Sequence, residues 1–362
     1  MKILILTNYG MGLYKFRKEL IEKLVINNDV YISLPNGKFV DKLIDLGCKY
    51  IDTNFNRKGT SIIDDIKLFF FYVKTIKKIK PNVVLTYTIK PTVYGGMACQ
   101  LTKTPYIVNI TGTSAATERG GILNKIATIL YKLGLRKANK VFFQNEDNRN
   151  YMLNKHLVKD NYDMIPGSGV NLKQYKVLDY PKDKYPKFGY IGRITEEKGI
   201  RLYLNAAEYI KKKYPKVTFG ICGDYDEEDY KKRIEDLVDK GIVEYYGVVD
   251  DMTTIYKKVQ CIVHPTWYAE GMSNVLLESL ASGRPIIATD RPGCKEIVDD
   301  GINGFVIKTK DEDDLIRKIE KFIVLSNEER KQLGLNGRKK VEKYFDRNIV
   351  INKYLEEIKK HE

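Results

Sequence analysis

The sequence lacks most of the features that disulfide frameworks, metal centres and nucleophilic active sites require. Its five cysteines (Cys48, Cys99, Cys222, Cys261 and Cys294) are far apart and form no C-x-x-C pair, so neither disulfides nor a cysteine zinc site is expected. The three histidines complete no Ser-His-Asp, Cys-His or metal-ligand pattern. Hydrolysis by an activated nucleophile is therefore disfavoured, and no metal site is expected.

Long hydrophobic runs are missing as well. No window contains about 18 consecutive apolar residues, so a membrane-spanning helix is not expected. The opening MKILILTNYGMG has neither a long apolar region nor a small-residue cleavage site, and we interpret it as a first strand rather than a signal peptide. Together with the unpaired cysteines, this favours a cytoplasmic protein.

Positive charge is concentrated in the first half of the chain. Residues 1–175 have 27 Lys and Arg against 13 Asp and Glu, whereas residues 176–362 have 35 against 34. A difference of this size indicates an acidic partner for the first half, such as an anionic membrane surface, a phosphorylated acceptor or nucleic acid. A general coating of surface lysines is the alternative, but it does not explain why the second half is neutral.

Short apolar runs rich in β-branched residues alternate with helical patterns along the whole chain, which is typical of parallel sheets covered on both faces. The pattern predicts an α/β protein of two Rossmann-like doubly wound domains facing a cleft. We expect domains at residues 1–170 and 187–345, a Gly- and Pro-rich linker at 171–186, and a C-terminal helix at 346–362 that packs back on the first domain.

The stretch HPTWYAEGMSNVLLE, residues 264–278, places Glu270 and Glu278 where a strand gives way to a helix. Ser273 or Asn274 can cap that helix, and a helix start of this kind favours an anion. A carboxylate beside an anion site is suited to accept hydrogen bonds from sugar hydroxyls. The combination indicates a nucleotide diphosphate sugar as ligand.

In each predicted domain one glycine-containing segment follows the first strand. In GRITEEKG, Gly192 lets the backbone approach a ligand, and Arg193 and Lys198 can hold a diphosphate; a solvated surface pair is the alternative. The loop Gly10-Met11-Gly12 is too short for a dinucleotide fingerprint, so either a tight turn or a close approach to phosphate explains it. An apparent D-x-D at Asp224 and Asp226 is not interpreted as a metal site, because Gly223 ends a predicted strand and residues 226–228 are typical of the acidic first turn of a helix.

Two stretches of the first half, residues 61–80 and 121–140, combine bulky apolar residues with lysines near their ends. Ordinary core-facing helices with cations at their C-termini are one interpretation. A shallow membrane-docking face is the other, and four consecutive aromatic residues, 69–72, favour it because they cannot all face a core.

GRITEEKG and the segment HPTWYAEGMSNVLLESLASGRPIIATDRPGCKEIVDDGINGFVI together resemble the nucleotide-sugar glycosyltransferases of family 4, which have the GT-B fold. The residues around the E-x7-E pattern agree with the family as well as the two glutamates do. The segment TYTIKPTVYGGMACQLTKTPYIVNITG resembles the branch that builds bacterial surface polysaccharides and lipid-linked oligosaccharides. The resemblance implies a retaining sugar transfer that needs neither a metal nor another cofactor.

The resemblance also implies roles for individual residues. Arg193 and Lys198 hold the diphosphate and stabilise the leaving group, Glu270 contacts the sugar ring, and Glu278 accepts from the ribose. The other donor-binding positions are Gly12, Gly192, Gly223, Val248, Gly271, Met272, Ser273 and Asn274. Many relatives have a histidine near the sugar, and this sequence has none at the matching strand ends; Lys90, Thr111, Gly112 and Thr113 are the candidates for that wall and for the acceptor side.

The leading hypothesis is therefore a hexosyltransferase, peripheral on the inner face of the cell membrane. It adds a hexose or N-acetylhexosamine from a nucleotide sugar, with uridine implied by the resemblance, to a lipid-linked or polysaccharide acceptor. A nucleotide-sugar epimerase of the same fold is the second hypothesis. A non-catalytic binder of acidic polymers is the third; it explains the basic first half but not the two-glutamate loop, and nucleic acid is not expected as a partner.

Overall fold

A computed structural model describes residues 1–53, 55, 61–112, 121–226, 229–268 and 270–362. The chain forms two compact units. The first comprises Met1–Ser168 together with Asn348–Glu362, and the second comprises Gly169–Arg347. Each unit is described by itself below.

The first unit is a parallel α/β sheet whose described strands follow the order β3-β2-β1-β4-β5-β6-β7. Its elements are β1 (Lys2–Leu6), α1 (Gly10–Val25), β2 (Asp29–Leu34), α2 (Val40–Asp45), β3 (Lys49–Asp52), α3 (Ile62–Ile79), β4 (Val83–Tyr87), a π-helical turn (Pro91–Gly95), α4 (Gly96–Thr102), β5 (Tyr106–Ile110), α5 (Gly121–Leu135), β6 (Lys140–Phe143), α6 (Glu146–Asn154) and β7 (Tyr162–Met164).

The central strands β1, β4 and β5 are largely apolar and buried on both faces, as helix-covered parallel strands must be. One face packs against α1 and the other against α3, α4 and α5. The C-terminal helix α13 (Arg347–Lys359) completes the first face, where Val350, Ile351, Tyr354 and Ile358 are buried against strand residues. The last element of the chain is thus part of the first core.

The second unit repeats the same plan. Its elements are β8 (Lys187–Ile191), a 3-10 turn (Glu196–Lys198), α7 (Ile200–Lys213), β9 (Thr218–Cys222), α8 (Asp229–Asp239), β10 (Val243–Tyr245), α9 (Thr253–Lys258), β11 (Cys261–His264), α10 (Asn274–Ala281), β12 (Ile286–Thr289), β13 (Gly304–Ile307), α11 (Glu312–Val324) and α12 (Asn327–Tyr344). All described strands are parallel, in the order β10-β9-β8-β11-β12-β13.

The segment at residues 171–186, predicted as a linker, is instead packed on the second unit. Tyr175 and Tyr180 are buried there, and the fully buried Arg284 donates to the carbonyl oxygens of Leu178 (3.2 Å) and Asp179 (2.6 Å). The guanidinium satisfies its donors on carbonyl groups, which fixes a segment that has no regular structure of its own. The Gly, Pro and polar composition of this segment correctly predicted that it forms no helix or strand, but it did not predict the packing.

In each sheet the strand order reverses once, between β1 and β4 in the first unit and between β8 and β11 in the second. The loops that leave these neighbouring strands diverge and open a crevice at the carboxyl ends, where doubly wound folds bind ligands. In the second unit these loops carry Arg193, Lys198 and Glu270; in the first unit Gly12 lies in the first turn of α1, just after β1, and Lys90 follows β4. Topology therefore explains why residues distant in sequence come together.

Candidate functional site

A short 3-10 turn after β8 presents Lys198. Thr195 precedes the turn and accepts a hydrogen bond from the Lys198 N–H through its hydroxyl (3.3 Å). Gly199 ends it with a φ of 79°, and a Cβ there would lie 2.1 Å from the carbonyl oxygen of Pro265, just beyond β11. The loop after β8 and the loop after β11 are therefore in direct backbone contact.

This contact brings together an ion pair between Lys198 and Glu270. The two side chains are only 13% and 14% exposed, and the Lys198 ammonium donates directly to the Glu270 carboxylate. Their positions differ by 72 residues in the chain. A pair this sheltered is weakly screened by salt, so its charges act strongly on whatever binds beside them.

Tyr268 connects Lys198 with the second predicted cation, Arg193. The Lys198 ammonium lies 4.7 Å from the centre of the Tyr268 ring and the Arg193 guanidinium lies 5.4 Å from it. Arg193 also donates to Asp226 at 2.7 Å. Both cations thus lie against the same aromatic ring, which partly offsets the repulsion between them.

The two cations of this cluster repel each other, although each is also paired with a carboxylate, Lys198 with Glu270 and Arg193 with Asp226. Burial, and then the neighbouring Arg193 guanidinium, lower the pKa of the Lys198 ammonium to about 8. The Glu270 carboxylate, which the ammonium contacts directly, favours the charged form. A diphosphate placed beside Lys198 and Arg193 would offset the electrostatic repulsion between the two cations and accept charge-assisted hydrogen bonds from both.

The start of α10 lies four residues beyond Glu270. Gly271, Met272 and Ser273 are buried, Asn274 is half-buried, and the Ser273 N–H donates to Gly293 at 2.9 Å. Ser273 occupies the N-cap position but makes no side-chain cap, because its hydroxyl lies 3.2 Å from Nε2 of His264. The expected capping by a side chain is thus wrong for Ser273.

Glu278 sits in the second turn of α10 with partners of its own. The hydroxyl of Tyr256 donates to its carboxylate at 3.2 Å, and Tyr175 contacts it as well. The carboxylate is half-buried, so it is both oriented and accessible. These are the properties that a group accepting from two neighbouring sugar hydroxyls needs.

The predicted nucleotide-binding glycines follow adjacent strands. The Gly192 N–H donates to Cys222 at 3.0 Å, and a Cβ on Gly223 would lie 1.8 Å from the Gly192 carbonyl oxygen. The close crossing of these two loops explains the glycine at 223 without a ligand. Val248, beyond β10, is 67% exposed and open to contact.

The first unit places its predicted residues at the carboxyl ends of β1, β4 and β5. Lys90 is mostly buried and donates to Asp65 of α3 at 2.7 Å, and Asp65 also accepts from Tyr94. Thr111 is exposed and Gly112 half-buried just after β5, while Thr113 lies outside the described residues. Lys90 is therefore held in place by a carboxylate on a neighbouring helix.

Gly10, Met11 and Gly12, predicted as a loop, form the first turn of α1. This helix start could not be predicted from the sequence, because it contains two glycines and lacks the Ser, Thr, Asp or Asn that usually marks an N-cap. The nearest heavy atom to a Cβ on Gly12 would be a Tyr9 ring carbon at 3.8 Å, an ordinary contact. Packing inside the described protein does not require glycine at position 12.

Two residues of the site were not selected from the sequence. Tyr268 lies two positions before Glu270, and an aromatic residue in a polar loop between two cation-bearing segments was the available clue. His264 ends the apolar strand Cys261–His264 and is 3% exposed, so the clue was a polar residue inside a buried strand. Neither clue specifies a role without coordinates.

Two family models match the chain, one for each unit. Residues 2–145 match the model described as Glycosyl transferase 4-like, and residues 179–340 match the model described as Glycosyl transferases group 1. The two matches include the loops that carry Lys90, Arg193, Lys198 and Glu270.

Relatives with assigned activities cover nearly the whole chain. One is the N,N'-diacetylbacillosaminyl-diphospho-undecaprenol alpha-1,3-N-acetylgalactosaminyltransferase of Campylobacter jejuni, 28% identical over 98% of this chain and 97% of its own. Another is the UDP-Gal:alpha-D-GlcNAc-diphosphoundecaprenol alpha-1,3-galactosyltransferase of Escherichia coli, 26% identical over 88% of this chain and 92% of its own. Among solved structures, Anabaena Alr3699/HepE in complex with UDP and glucose has a TM-score of 0.81 at 19% identity, covering 99% of both chains.

Proposed function

Because the chain belongs to the glycosyltransferases of the GT-B fold, with a family 4-like first unit and a group 1 second unit, we propose that it moves a hexose or N-acetylhexosamine from a nucleotide sugar, with UDP as the nucleotide, to a lipid-linked or polysaccharide acceptor. One observation carries the proposal: the sheltered Lys198–Glu270 pair at the reversal point of the second sheet, with the half-exposed Arg193 against the same Tyr268 ring as Lys198.

The cluster suits the breaking of a sugar–diphosphate bond. Negative charge grows on the leaving diphosphate as that bond lengthens, and two fixed cations stabilise this charge more strongly than they stabilise the intact donor. Lys198 and Arg193 supply those cations in the proposed reaction, and no divalent ion is needed. Glu270 holds Lys198 in place and accepts from the sugar hydroxyls.

We propose that the anomeric configuration is retained. The Escherichia coli relative is named for an alpha-1,3 product made from UDP-Gal, and UDP-galactose is itself an α-glycoside of its diphosphate. Both relatives described above act on a diphospho-undecaprenol-linked sugar, which supports a lipid-linked acceptor for this chain. We assign the acceptor to the first unit, with Lys90, Thr111 and Gly112 as its contacts and capsule or lipopolysaccharide as the product.

A transfer assay tests the proposal. The purified chain is incubated with UDP-glucose, UDP-galactose, UDP-N-acetylglucosamine or UDP-N-acetylgalactosamine and short-chain polyprenyl diphosphate sugars, with and without EDTA. Acceptor-dependent release of UDP, an α-linked product by NMR and insensitivity to EDTA are expected. Isomerised nucleotide sugar without an acceptor would favour the epimerase, and loss of activity in EDTA would disprove the metal-free mechanism.

The first unit also carries an apolar surface that we propose docks on an anionic membrane. On α5 the residues Ile122, Ile126, Ile129 and Leu133 form one exposed stripe at helical spacing. On α3 the residues Ile62, Ile63, Ile66 and Phe70 do the same, with Ile62 being 75% exposed. Tyr72, two residues after the exposed Phe70, is fully buried, so the consecutive aromatic residues divide between core and surface.

Both helices cover the same face of the first sheet, since their inward residues belong to one core cluster. Exposed lysines lie on the same helices, at positions 67, 74, 77 and 78 of α3 and 125 and 132 of α5. Apolar side chains flanked by lysines fit the boundary between acyl chains and anionic headgroups. Among the described residues no helix is long and apolar enough to cross a membrane.

The double substitution Ile126→Gln and Ile129→Gln should reduce binding to vesicles containing phosphatidylglycerol by roughly tenfold, because two partly inserted apolar side chains are lost. Vesicle flotation measures this. Ile302→Gln with Val324→Gln, which changes two exposed apolar residues of the second unit, is the matched control and should bind normally. Equal binding by all three proteins would disprove the docking surface.

The pH dependence follows from the lowered pKa of Lys198. Its ammonium is charged below about pH 8 and neutral above, so kcat/KM for the donor should fall as pH rises through about 8. A Lys198→Arg variant keeps its charge throughout this range, so whatever activity it retains should lack the alkaline decline. A decline shared by both proteins would assign the titration to another group.

A further inference from the structure

His264 is a buried polar residue that has no role in the proposed reaction. It is the last residue of β11 and only 3% exposed, in a strand whose other residues are Cys, Ile and Val. Its Nε2 lies 3.2 Å from the Ser273 hydroxyl, nine residues along the chain. Nδ1 is buried and has no hydrogen-bond partner among the described residues. Burying an imidazole costs free energy, and one contact repays only part of it.

The partner of His264 is a residue that holds the site together. Ser273 precedes α10, and its N–H donates to the carbonyl of Gly293 at 2.9 Å. A Cβ on Gly293 would lie 3.0 Å from the Gly271 carbonyl oxygen and 3.3 Å from the Glu270 Cβ, so the two loops run close together. Ser273 is thus fastened through its backbone on one side and its hydroxyl on the other.

The hydroxyl contact has a consequence for the helix start. A serine at the N-cap position ordinarily accepts from a backbone N–H of the first turn. Ser273 makes no such bond, so its hydroxyl does not occupy an N–H group that could meet an anion. The side-chain oxygen Oδ1 of Asn274, buried at the same helix start, accepts no hydrogen bond among the described residues, so it does not cap the helix either.

The imidazole is neutral. Burial, and then the nearby Lys198 ammonium, lower the pKa of His264 to about 3. A neutral imidazole beside the cations adds no repulsion, and it offers one acceptor and one donor. This suits a residue that orients a hydroxyl without opposing the charge of the site.

We propose that His264 is a positioning residue of the donor site: its Nε2 holds the Ser273 hydroxyl, which fixes the loop that carries Glu270 and leaves the first N–H groups of α10 uncapped for the donor phosphate. The inference rests on the proposed function. A positioning role differs from mere space filling in one respect: it requires a specific ring nitrogen of His264.

Two amide replacements separate these roles. Gln places an amide group near the position of Nε2, whereas Asn places one near Nδ1. His264→Gln should stay within about threefold of the wild type, whereas His264→Asn and Ser273→Ala should each lower kcat/KM for the donor by about tenfold, mainly through KM, as the loss of one orienting hydrogen bond predicts. Ser273→Ala keeps the imidazole, so it remains informative if His264→Asn does not fold.

Three outcomes overturn the inference while the wild type remains active: all variants within threefold, Gln and Asn equally impaired, or Ser273→Ala unaffected. A second readout does not depend on transfer. The chain has three histidines, so the 15N signals of His264 are identified by their loss in His264→Gln. They should report a neutral ring at pH 5 and shift in Ser273→Ala. If the wild type transfers no sugar, the proposed function fails, and unchanged signals in Ser273→Ala overturn the inference independently.

Discussion

Replacing Lys198 by Met is expected to lower kcat/KM for the nucleotide sugar by roughly 10²–10³-fold, the usual effect of removing one preorganised group that stabilises transition-state charge. The Lys198 side chain is 13% exposed and its ammonium lies against Glu270 and the ring of Tyr268, so its position is set before the donor binds. Met has a similar stem, and the substitution therefore removes the charge while preserving most of the packing. Steady-state kinetics on the purified chain measure the effect.

Lys213→Met provides the matched control. Lys213 pairs with Glu320 on the surface of the same unit, at 56% exposure, and a screened pair of this kind contributes little. Its removal should leave kcat/KM unchanged. If Lys198→Met kept kcat within a fewfold of the wild type, the leaving diphosphate would have to be stabilised elsewhere.

The effects of substitutions at Glu270 and Lys198 on kcat/KM should also be strongly non-additive. Glu270→Gln alone leaves the buried Lys198 without its carboxylate, which further lowers the pKa of the ammonium and misplaces it. The double variant should consequently lose far less than the product of the two single effects, because the two residues act as a unit. Additive losses would show that they serve separate steps.

The sequence pattern was sufficient for the two sheets and for bringing the distant Lys198 and Glu270 together. Apolar strands that alternate with helices specify parallel sheets, and at a reversal point of such a sheet the carboxyl ends of two strands distant in sequence lie side by side. Arg193 and Lys198 follow β8, and Glu270 follows β11, so their proximity is a property of the topology. GT-B neighbours among solved structures agree with the fold assignment.

The remaining features depend on side-chain packing, which no pattern of periodicity contains. Tyr268 and His264 became site residues only when coordinates placed one beside two cations and the other beside Ser273. The segment at 171–186 is anchored by Arg284, whose place in the sequence is about a hundred residues away. Long-range contacts of single side chains decided these points, and local composition cannot specify them.

Gly199→Ala is expected to destabilise the second unit by about 2–5 kcal/mol and to abolish transfer. The residue has a φ of 79°, where a Cβ costs about 1–2 kcal/mol, and the new atom would lie 2.1 Å from the Pro265 carbonyl oxygen and 2.6 Å from its carbon. Backbone atoms cannot rotate away as a side chain can, so the overlap adds about 1–3 kcal/mol. Relief requires the turn with Lys198 to move away from the loop with Glu270.

Gly241→Ala separates the two contributions. Gly241 also has a positive φ, 66°, but a Cβ there meets nothing within 4 Å, so only the cost of about 1–2 kcal/mol for the left-handed conformation remains. The single tryptophan, Trp267, lies in the second unit, and its backbone N–H donates to the carbonyl oxygen of Glu197 in the turn Glu196–Lys198 that precedes Gly199. Its fluorescence during urea unfolding therefore reports on this contact. Equal destabilisation by the two substitutions, with transfer retained in Gly199→Ala, would show that the close approach of these loops does not hold the site together.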